Sequence, residues 1–220
     1  KKLFLWFFLF IFLTTYNCQG TNNFLTGLFH IKDIEIEGVI NSNKEELQTR
    51  LEEFKTKNLF FLKQSDFEDS IVNLDFVKSL KIKKIYPQKI KIIVVEDSPI
   101  GIYFNDIGEK YLLLENNKII KYKNYVYEDL PEVYGKGAMK KFSDFYLSLK
   151  KTELNLSFVR RFNYFEIDRW DLLFKDNKLI KLPSMNYEES IIKYLEIYEK
   201  NTFKGFKVFD FRIKNELIVR

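Results

Sequence analysis

The chain has 220 residues, room for one or two compact domains. Apolar residues make up 46% and aromatics 17%, which excludes a disordered chain. The 36 basic residues against 31 acidic ones leave a formal charge of +5, too slight and too dispersed to point to nucleic acid and equally suited to anionic lipid headgroups.

Lys1 and Lys2 precede an uninterrupted apolar run from Leu3 to Leu13, which Thr14, Thr15 and Tyr16 extend. A helix through Cys18 would rise about 24 Å, against a hydrocarbon core about 30 Å thick. No methionine opens the sequence, which points to a trimmed start and a longer segment. Three readings compete: a transmembrane signal anchor over residues 1–18 with both lysines in the cytoplasm, a cleaved signal peptide, and a lipoprotein signal ending at Cys18. The second lacks a small-x-small cleavage site, because Thr15-Tyr16-Asn17 is bulky. The third lacks small residues at Tyr16 and Asn17. The anchor is the expectation, and each reading carries residues 19–220 across the membrane. Cys18 is the one cysteine, so no intrachain disulfide forms and the fold stands on packing.

Residues 29–97 read as a small α/β unit. Ile34-Glu35-Ile36-Glu37 alternates apolar and charged as a half-buried strand does, and Gly38 ends it. Ser42 with Glu45, and Ser65 with Glu68, have the spacing of capping boxes. Leu47, Leu51 and Phe54 mark the buried face of a first helix, and Phe67, Ile71 and Leu74 that of a second. Val77 to Tyr103 supplies two strands around a Tyr86-Pro87-Gln88 turn, with Ile90, Ile92 and Val94 facing one way. It then runs through Glu96, Asp97 and Pro99 into further strand with no flexible linker, which suggests two domains in a fixed relation. The order β-α-α-β-β predicts a three-stranded sheet carrying two helices on one face. Ile34-x-Ile36-x-Gly38, the two helices, Tyr86-Pro87 and Ile90-x-Ile92-x-Val94-x-Glu96-x-x-Pro99 resemble the POTRA domain of the FtsQ/DivIB cell-division family. Outer-membrane assembly proteins carry such domains too.

Residues 98–220 read as a β-rich unit. Ile100–Phe104, Tyr111–Leu114 and Lys118–Tyr122 are short strands, with Glu115-Asn116-Asn117 as a turn. Leu130–Ala138 leads into a helix whose apolar positions are Ala138, Phe142, Phe145 and Leu149. Asn163–Asp168, Arg169–Phe174 and Leu179–Leu182 are strand-like. A second helix points Ile191, Tyr194, Leu195 and Tyr198 inward, and Phe206–Ile213 with Leu217–Arg220 forms a last hairpin. Leu130-Pro131, Gly135-x-x-Ala138, Arg169-Trp170-Asp171-Leu172, Leu182-Pro183, Val208-Phe209-Asp210-Phe211-Arg212 and Val219-Arg220 are similar in order and spacing to the β domain of the same family. The resemblance covers nearly the whole chain.

Side chains for catalysis are scarce. His30 is the only histidine, without the Cys or carboxylate companions that a metal or a His-based mechanism needs. Glu166 and Asp168 fall on one strand face and, with Asp171, invite an acid/base reading, but Phe165 and Ile167 on the other face make this an ordinary charged-out, apolar-in strand. Glu96 and Asp97 suit a cap or an ion pair better than a catalytic dyad. Gly135-x-Gly137 is too short for a phosphate loop. Lys78, Lys81, Lys83, Lys84, Lys89 and Lys91 read as a solvated face that discourages edge pairing, or else as a contact for anionic lipid or an acidic partner.

The expected fold class is α+β: an N-terminal transmembrane helix over 1–18, a POTRA domain over 29–97, and a mixed β domain with two helices over 98–220. No catalytic, metal or cofactor residue is expected. The resemblance implies a single-pass inner-membrane protein of the bacterial division septum, its N-terminus cytoplasmic and its bulk periplasmic. It further implies a scaffold that recruits FtsB and FtsL by β-strand addition and so helps regulate septal peptidoglycan synthesis. It carries the partner strand onto Arg212, Ile213, Leu217, Ile218, Val219 and Arg220. The alternative is a POTRA component of an outer-membrane assembly or secretion system. That role needs a barrel of many strands, for which a second half holding two helices leaves no room.

Overall fold

The structure, a computed structural model, describes residues 2–15, 29–71, 73–123, 127, 129–198 and 200–220. Helix α1 (Lys2–Thr15) has 14 residues. Among the described residues no helix is long and apolar enough to cross a membrane, so the expected transmembrane helix is not found. At about 1.5 Å per residue, α1 reaches only about two-thirds of the way through a hydrocarbon core. Lys1, Tyr16, Asn17 and Cys18 lie outside the described residues. The chain divides into two compact units, Lys1–Glu96 and Asp97–Arg220.

In the first unit, β1 (Asp33–Glu37) is followed by α2 (Lys44–Glu52), a 3-10 turn (Glu53–Thr56), α3 (Gln64–Ile71), β2 (Val77–Ile85) and β3 (Lys89–Glu96). The three strands lie in the order β1-β3-β2, with β1 parallel to β3 and β2 antiparallel to it. The turn between β2 and β3 holds a cis Tyr86–Pro87 peptide. Ile90, Ile92 and Val94 are buried as expected and join Leu47, Leu51, Phe54, Phe67, Ile71 and Leu74 in one core. Phe54 stacks on Phe67 at 4.1 Å between ring centroids. Each such side chain contributes about 1.5–3 kcal/mol on burial. Phe54 sits in the 3-10 turn and Leu74 lies beyond α3, so each helical face is one residue shorter than its apolar spacing implied.

Neither expected capping box forms. Asn43 caps α2, its Oδ1 accepting from the N–H groups of Glu45 and Glu46, while the Ser42 hydroxyl donates to the Asp75 carbonyl. Asn and Ser are near-equal caps, so their order in the chain could not separate them. Helix α3 already includes Ser65, and Asp66 Oδ2 instead reaches back to accept from Lys63 N–H at 2.7 Å.

The carboxylate of Glu96 is itself a cap. It accepts from the N–H groups of Ile40 (3.1 Å), Asn41 (2.7 Å) and Ser42 (2.9 Å), the segment leading into α2. Gly38, at φ +81°, passes so close to the Val94 carbonyl that a Cβ would overlap it. Lys89 pairs with Glu35 (2.8 Å) and Asp33 (3.3 Å), and Lys91 pairs with Glu37, so two of the six clustered lysines form a cross-strand charge ladder.

The second unit runs β4 (Pro99–Phe104), β5 (Lys110–Leu114), β6 (Ile119–Lys121), β7 (Glu132–Tyr134), α4 (Ala138–Leu149), β8 (Val159–Phe165), β9 (Arg169–Phe174), β10 (Leu179–Lys181), α5 (Tyr187–Tyr198), β11 (Val208–Asp210) and β12 (Ile218–Val219). They build a nine-stranded sheet in the order β12-β11-β10-β9-β8-β7-β4-β5-β6. Strand β7 was not anticipated. Its three residues pair parallel with β8, two of them also pair parallel with β4, and the strand joins the halves of the sheet. Helix α4 buries Ala138, Phe142, Phe145 and Leu149 as expected, and Phe145 stacks on Trp170 at 4.7 Å. In α5, Ile191 and Tyr194 are buried, whereas Tyr198 is 42% exposed and carries Lys178 Nζ over its ring at 4.1 Å.

Glu166, Ile167 and Asp168 form the β8–β9 turn rather than a strand face. Phe165 is 39% and Ile167 66% exposed, so the expected apolar-in side does not exist there. Asp168 takes φ +55°, which ends the strand that its neighbours' alternation seemed to extend.

Candidate functional site

The sheet of the second unit has two outer strands, β6 and β12. β12 pairs antiparallel with β11, Phe209 opposite Val219 and Asp210 opposite Ile218. Just beyond, Arg220 N–H donates to Val208 O at 3.1 Å and Val208 N–H donates to Arg220 O at 2.9 Å. Val208–Arg220 is therefore a hydrogen-bonded pair. Antiparallel pairs alternate, so Asp210–Ile218 is the next bonded one and Phe209–Val219 is not. The main-chain N–H and C=O of Val219 and the C=O of Leu217 thus point away from β11, toward the open side of the sheet. An outer strand with such a row is a template for another extended chain.

Side chains alternate as well. Leu217 and Val219 pack against the large core, which holds Phe209 and Phe211, and this pins the register of β12. On the opposite face Ile218 is 37% exposed, and in the preceding connection Ile213 is 50% exposed. Of the six residues expected to meet a partner, Leu217 to Arg220 lie on the outer strand or its continuation. Arg212 and Ile213 lie in the connection leading to it.

Arg212 is committed internally. Its Nε and Nη2 donate to Asp210 Oδ1 and Oδ2 at 2.8 and 2.6 Å, and its N–H donates to Oδ1 at 3.2 Å. The Arg212 bond holds the Asp210 carboxyl below its usual range. A cross-strand row runs from Asp171 through Lys181 and Asp210 to Ile218. Burial pushes the Asp171 carboxyl up, against the pull of Arg169, Lys181 and Arg212. Asp171 pairs with Arg169 of its own strand at 3.5 Å, and Asp210 with Arg212 at 2.6 Å.

Between α5 and the β11–β12 connection lies a groove of about 580 Å³, lined by Glu189, Lys193, Ile197, Ile213 and Leu217 among others. Glu189, Lys193 and Ile197 recur every four residues on α5, a second stripe beside the buried Ser190, Ile191 and Tyr194. That spacing was legible in the sequence, but only the fold sets it beside Ile213.

The side chains considered for chemistry are engaged elsewhere. Asp168 accepts from the Tyr164 hydroxyl at 2.8 Å and pairs with Lys141 at 3.2 Å, and Glu166 pairs with Lys136 at 3.3 Å. Asp97 Oδ2 accepts from Asn116 N–H at 3.1 Å, so Asp97 and Glu96 serve different partners. His30 forms an isolated bridge with Asn58. Among the described residues no three His, Cys, Asp or Glu side chains gather as a metal site. Gly135 and Gly137 take φ of +113° and +89°, and a Cβ at Gly135 would overlap the Tyr164 carbonyl.

Comparison with known proteins accords with this architecture. The FtsQ-type POTRA domain model matches residues 29–97, and the model of the cell division protein FtsQ/DivIB C-terminal region matches residues 101–212. The second match therefore includes Arg212 and stops short of Ile213 and β12. The chain is 26% identical over 195 residues to the cell division protein FtsQ of Rickettsia typhi, covering 87% of this chain and 73% of that protein. It is 21% identical over 201 residues to the cell division protein FtsQ of Caulobacter vibrioides, covering 90% of this chain and 67% of that one. With the cell division protein DivIB of Clostridium acetobutylicum it shares 29% identity over 94 residues, covering 42% and 36% respectively. The chain belongs to the FtsQ/DivIB family of cell division proteins.

Proposed function

We propose that this protein is a non-enzymatic scaffold of the division machinery that takes a strand from FtsB, arriving with FtsL, onto the open side of β12. The observation that carries this reading is the outward row formed by the main-chain N–H and C=O of Val219 and the C=O of Leu217. Main-chain bonding supplies pairing, and the neighbouring Ile213 and Ile218 supply apolar contact. Arg212 acts by holding the connection through Asp210 and so positions the strand.

The apolar run Leu3–Leu13 attaches the chain to the inner membrane, with Lys1 and Lys2 on the cytoplasmic side and both folded units in the periplasm at the septum. Confinement to the membrane plane raises the effective concentration of partners that share it. By docking FtsB–FtsL, the protein would help set when septal peptidoglycan synthases act. The alternative role in an outer-membrane assembly or secretion system is not favoured, because two domain models of the division family together span most of the chain.

The test is capture of purified FtsB–FtsL by the full chain, with a photo-crosslinker at the exposed Ile218 or, as control, at the equally exposed Ile119 on the opposite outer strand. Capture with crosslinking from 218 alone is expected. No capture, or crosslinking from 119 instead, would refute the proposed edge.

A further inference from the structure

Three separate segments of the first unit meet at one end of its sheet. Leu59 N–H donates to Phe29 O at 2.7 Å, Ile31 N–H donates to Lys57 O, and Lys32 N–H donates to Gln88 O at 2.8 Å. These bonds bring the entry at Phe29, the loop at Phe60–Phe61 and the Tyr86–Pro87 turn together. Their rings form a chain: Phe29–Phe60 at 6.3 Å, Phe29–Tyr86 at 6.1 Å, Phe60–Tyr86 at 6.5 Å and Phe60–Phe61 at 5.9 Å. Unlike the stacked Phe54 and Phe67, this cluster faces outward. Phe60 is 64% exposed, Phe61 75% and Tyr86 52%.

Basic residues flank the patch along the chain, and Lys57 Nζ lies 4.4 Å over the Phe54 ring. Lys32, Lys57 and Lys63 are exposed within the same segments, and Lys84 Nζ donates to Phe60 O at 3.3 Å. The acidic groups nearest in sequence are occupied: Asp33 pairs with Lys89, and Asp66 accepts from Lys63 N–H. Exposed Phe and Tyr rings with flanking lysines match a bilayer interface, where aromatic rings sit at headgroup depth and ammonium groups meet lipid phosphate. The chain's own covalent path points the same way. Phe29, itself part of the patch, is joined by residues 16–28 to the apolar run Leu3–Leu13.

We propose that this end of the POTRA domain is a lipid seat, with Phe60, Phe61 and Tyr86 entering the headgroup layer of an anionic bilayer and Lys57, Lys63 and Lys84 meeting its phosphates. The inference rests on the membrane attachment proposed above. It adds that the domain lies against the bilayer by a defined end, with β1 running away from the surface.

The test uses the full chain with Cys18→Ser and an environment-sensitive fluorophore on Phe61→Cys, reconstituted in vesicles of phosphatidylcholine and phosphatidylglycerol. A parallel sample carries the fluorophore on Ile40→Cys, which is 84% exposed and lies past the far end of β1. Quenchers on the lipid headgroup should remove most of the emission at 61 and leave that at 40. Adding Lys57→Glu and Lys63→Glu should restore much of the emission at 61. Equal quenching at both positions, or stronger quenching at 40, would overturn the seat. A chain that floats with the vesicles yet shows no quenching at 61 would overturn the seat and leave the attachment standing. A chain that does not float would overturn both.

Discussion

Glu96 ends β3, and at the residue scale it explains why a carboxylate belongs there. Burial pushes its carboxyl up, but the N–H groups of Asn41, Ser42 and Ile40 outweigh that and hold it below the usual carboxylate range. A carboxyl depressed in the folded state contributes fully above its unfolded value near pH 4.3, and that contribution is lost as pH falls through the folded value. Glu96→Ala should cost about 1–2 kcal/mol at pH 7, and urea unfolding should show the cost shrinking on the acid side of about pH 4. Gly135 and Gly108 make a second residue-scale comparison. Both have positive φ, but a Cβ at 135 would overlap the Tyr164 carbonyl while one at 108 meets nothing within 4 Å. Gly108→Ala should cost about 1 kcal/mol from backbone strain alone, and Gly135→Ala more than about 3 kcal/mol, read from thermal unfolding.

At the element scale, the alternation of β12 makes proline substitutions at its two positions inequivalent. Ile218 N–H belongs to the ladder with β11, so Ile218→Pro should loosen the last hairpin and speed amide exchange at Asp210 and neighbouring positions. Val219 N–H points outward, so Val219→Pro should leave those amides protected. Lysine is the poorer probe at 219, because Val219 packs on the core. Much of this element level was legible in the sequence: the Ile90-Ile92-Val94 stripe and the buried face of α4 follow from periodicity alone, and the terminal hairpin forms with shorter strands than the expected Phe206–Ile213 and Leu217–Arg220. The failures have local causes. Asn43 outcompeted Ser42 because two good caps stood side by side. Strand β7 has three residues, too few to show an alternation. Phe165 and Ile167 copied a strand pattern into a turn that the positive φ of Asp168 imposes. The open edge at Leu217 and Val219 was reachable from the family resemblance, but which of its N–H groups face outward depends on the Val208–Arg220 pairing. The groove beside Ile213 required the fold.

Across the whole molecule, each unit carries its own core, one centred on Phe54 and Phe67 and the other on Phe142, Phe162 and Trp170. Phe67→Ala and Phe162→Ala should each cost about 3–5 kcal/mol in the unit that holds it, with hydrogen exchange reporting which amides are freed. The same division separates roles: the first unit presents the aromatic end proposed to rest on lipid, and the second presents the edge proposed to receive a partner. The second role is the central claim. Its most direct test is titration of FtsB–FtsL into the full chain bearing Val219→Pro, with amide protection at Asp210 measured on the same sample. The account predicts that binding is lost while protection is retained. Undiminished affinity with that outward N–H removed would contradict it.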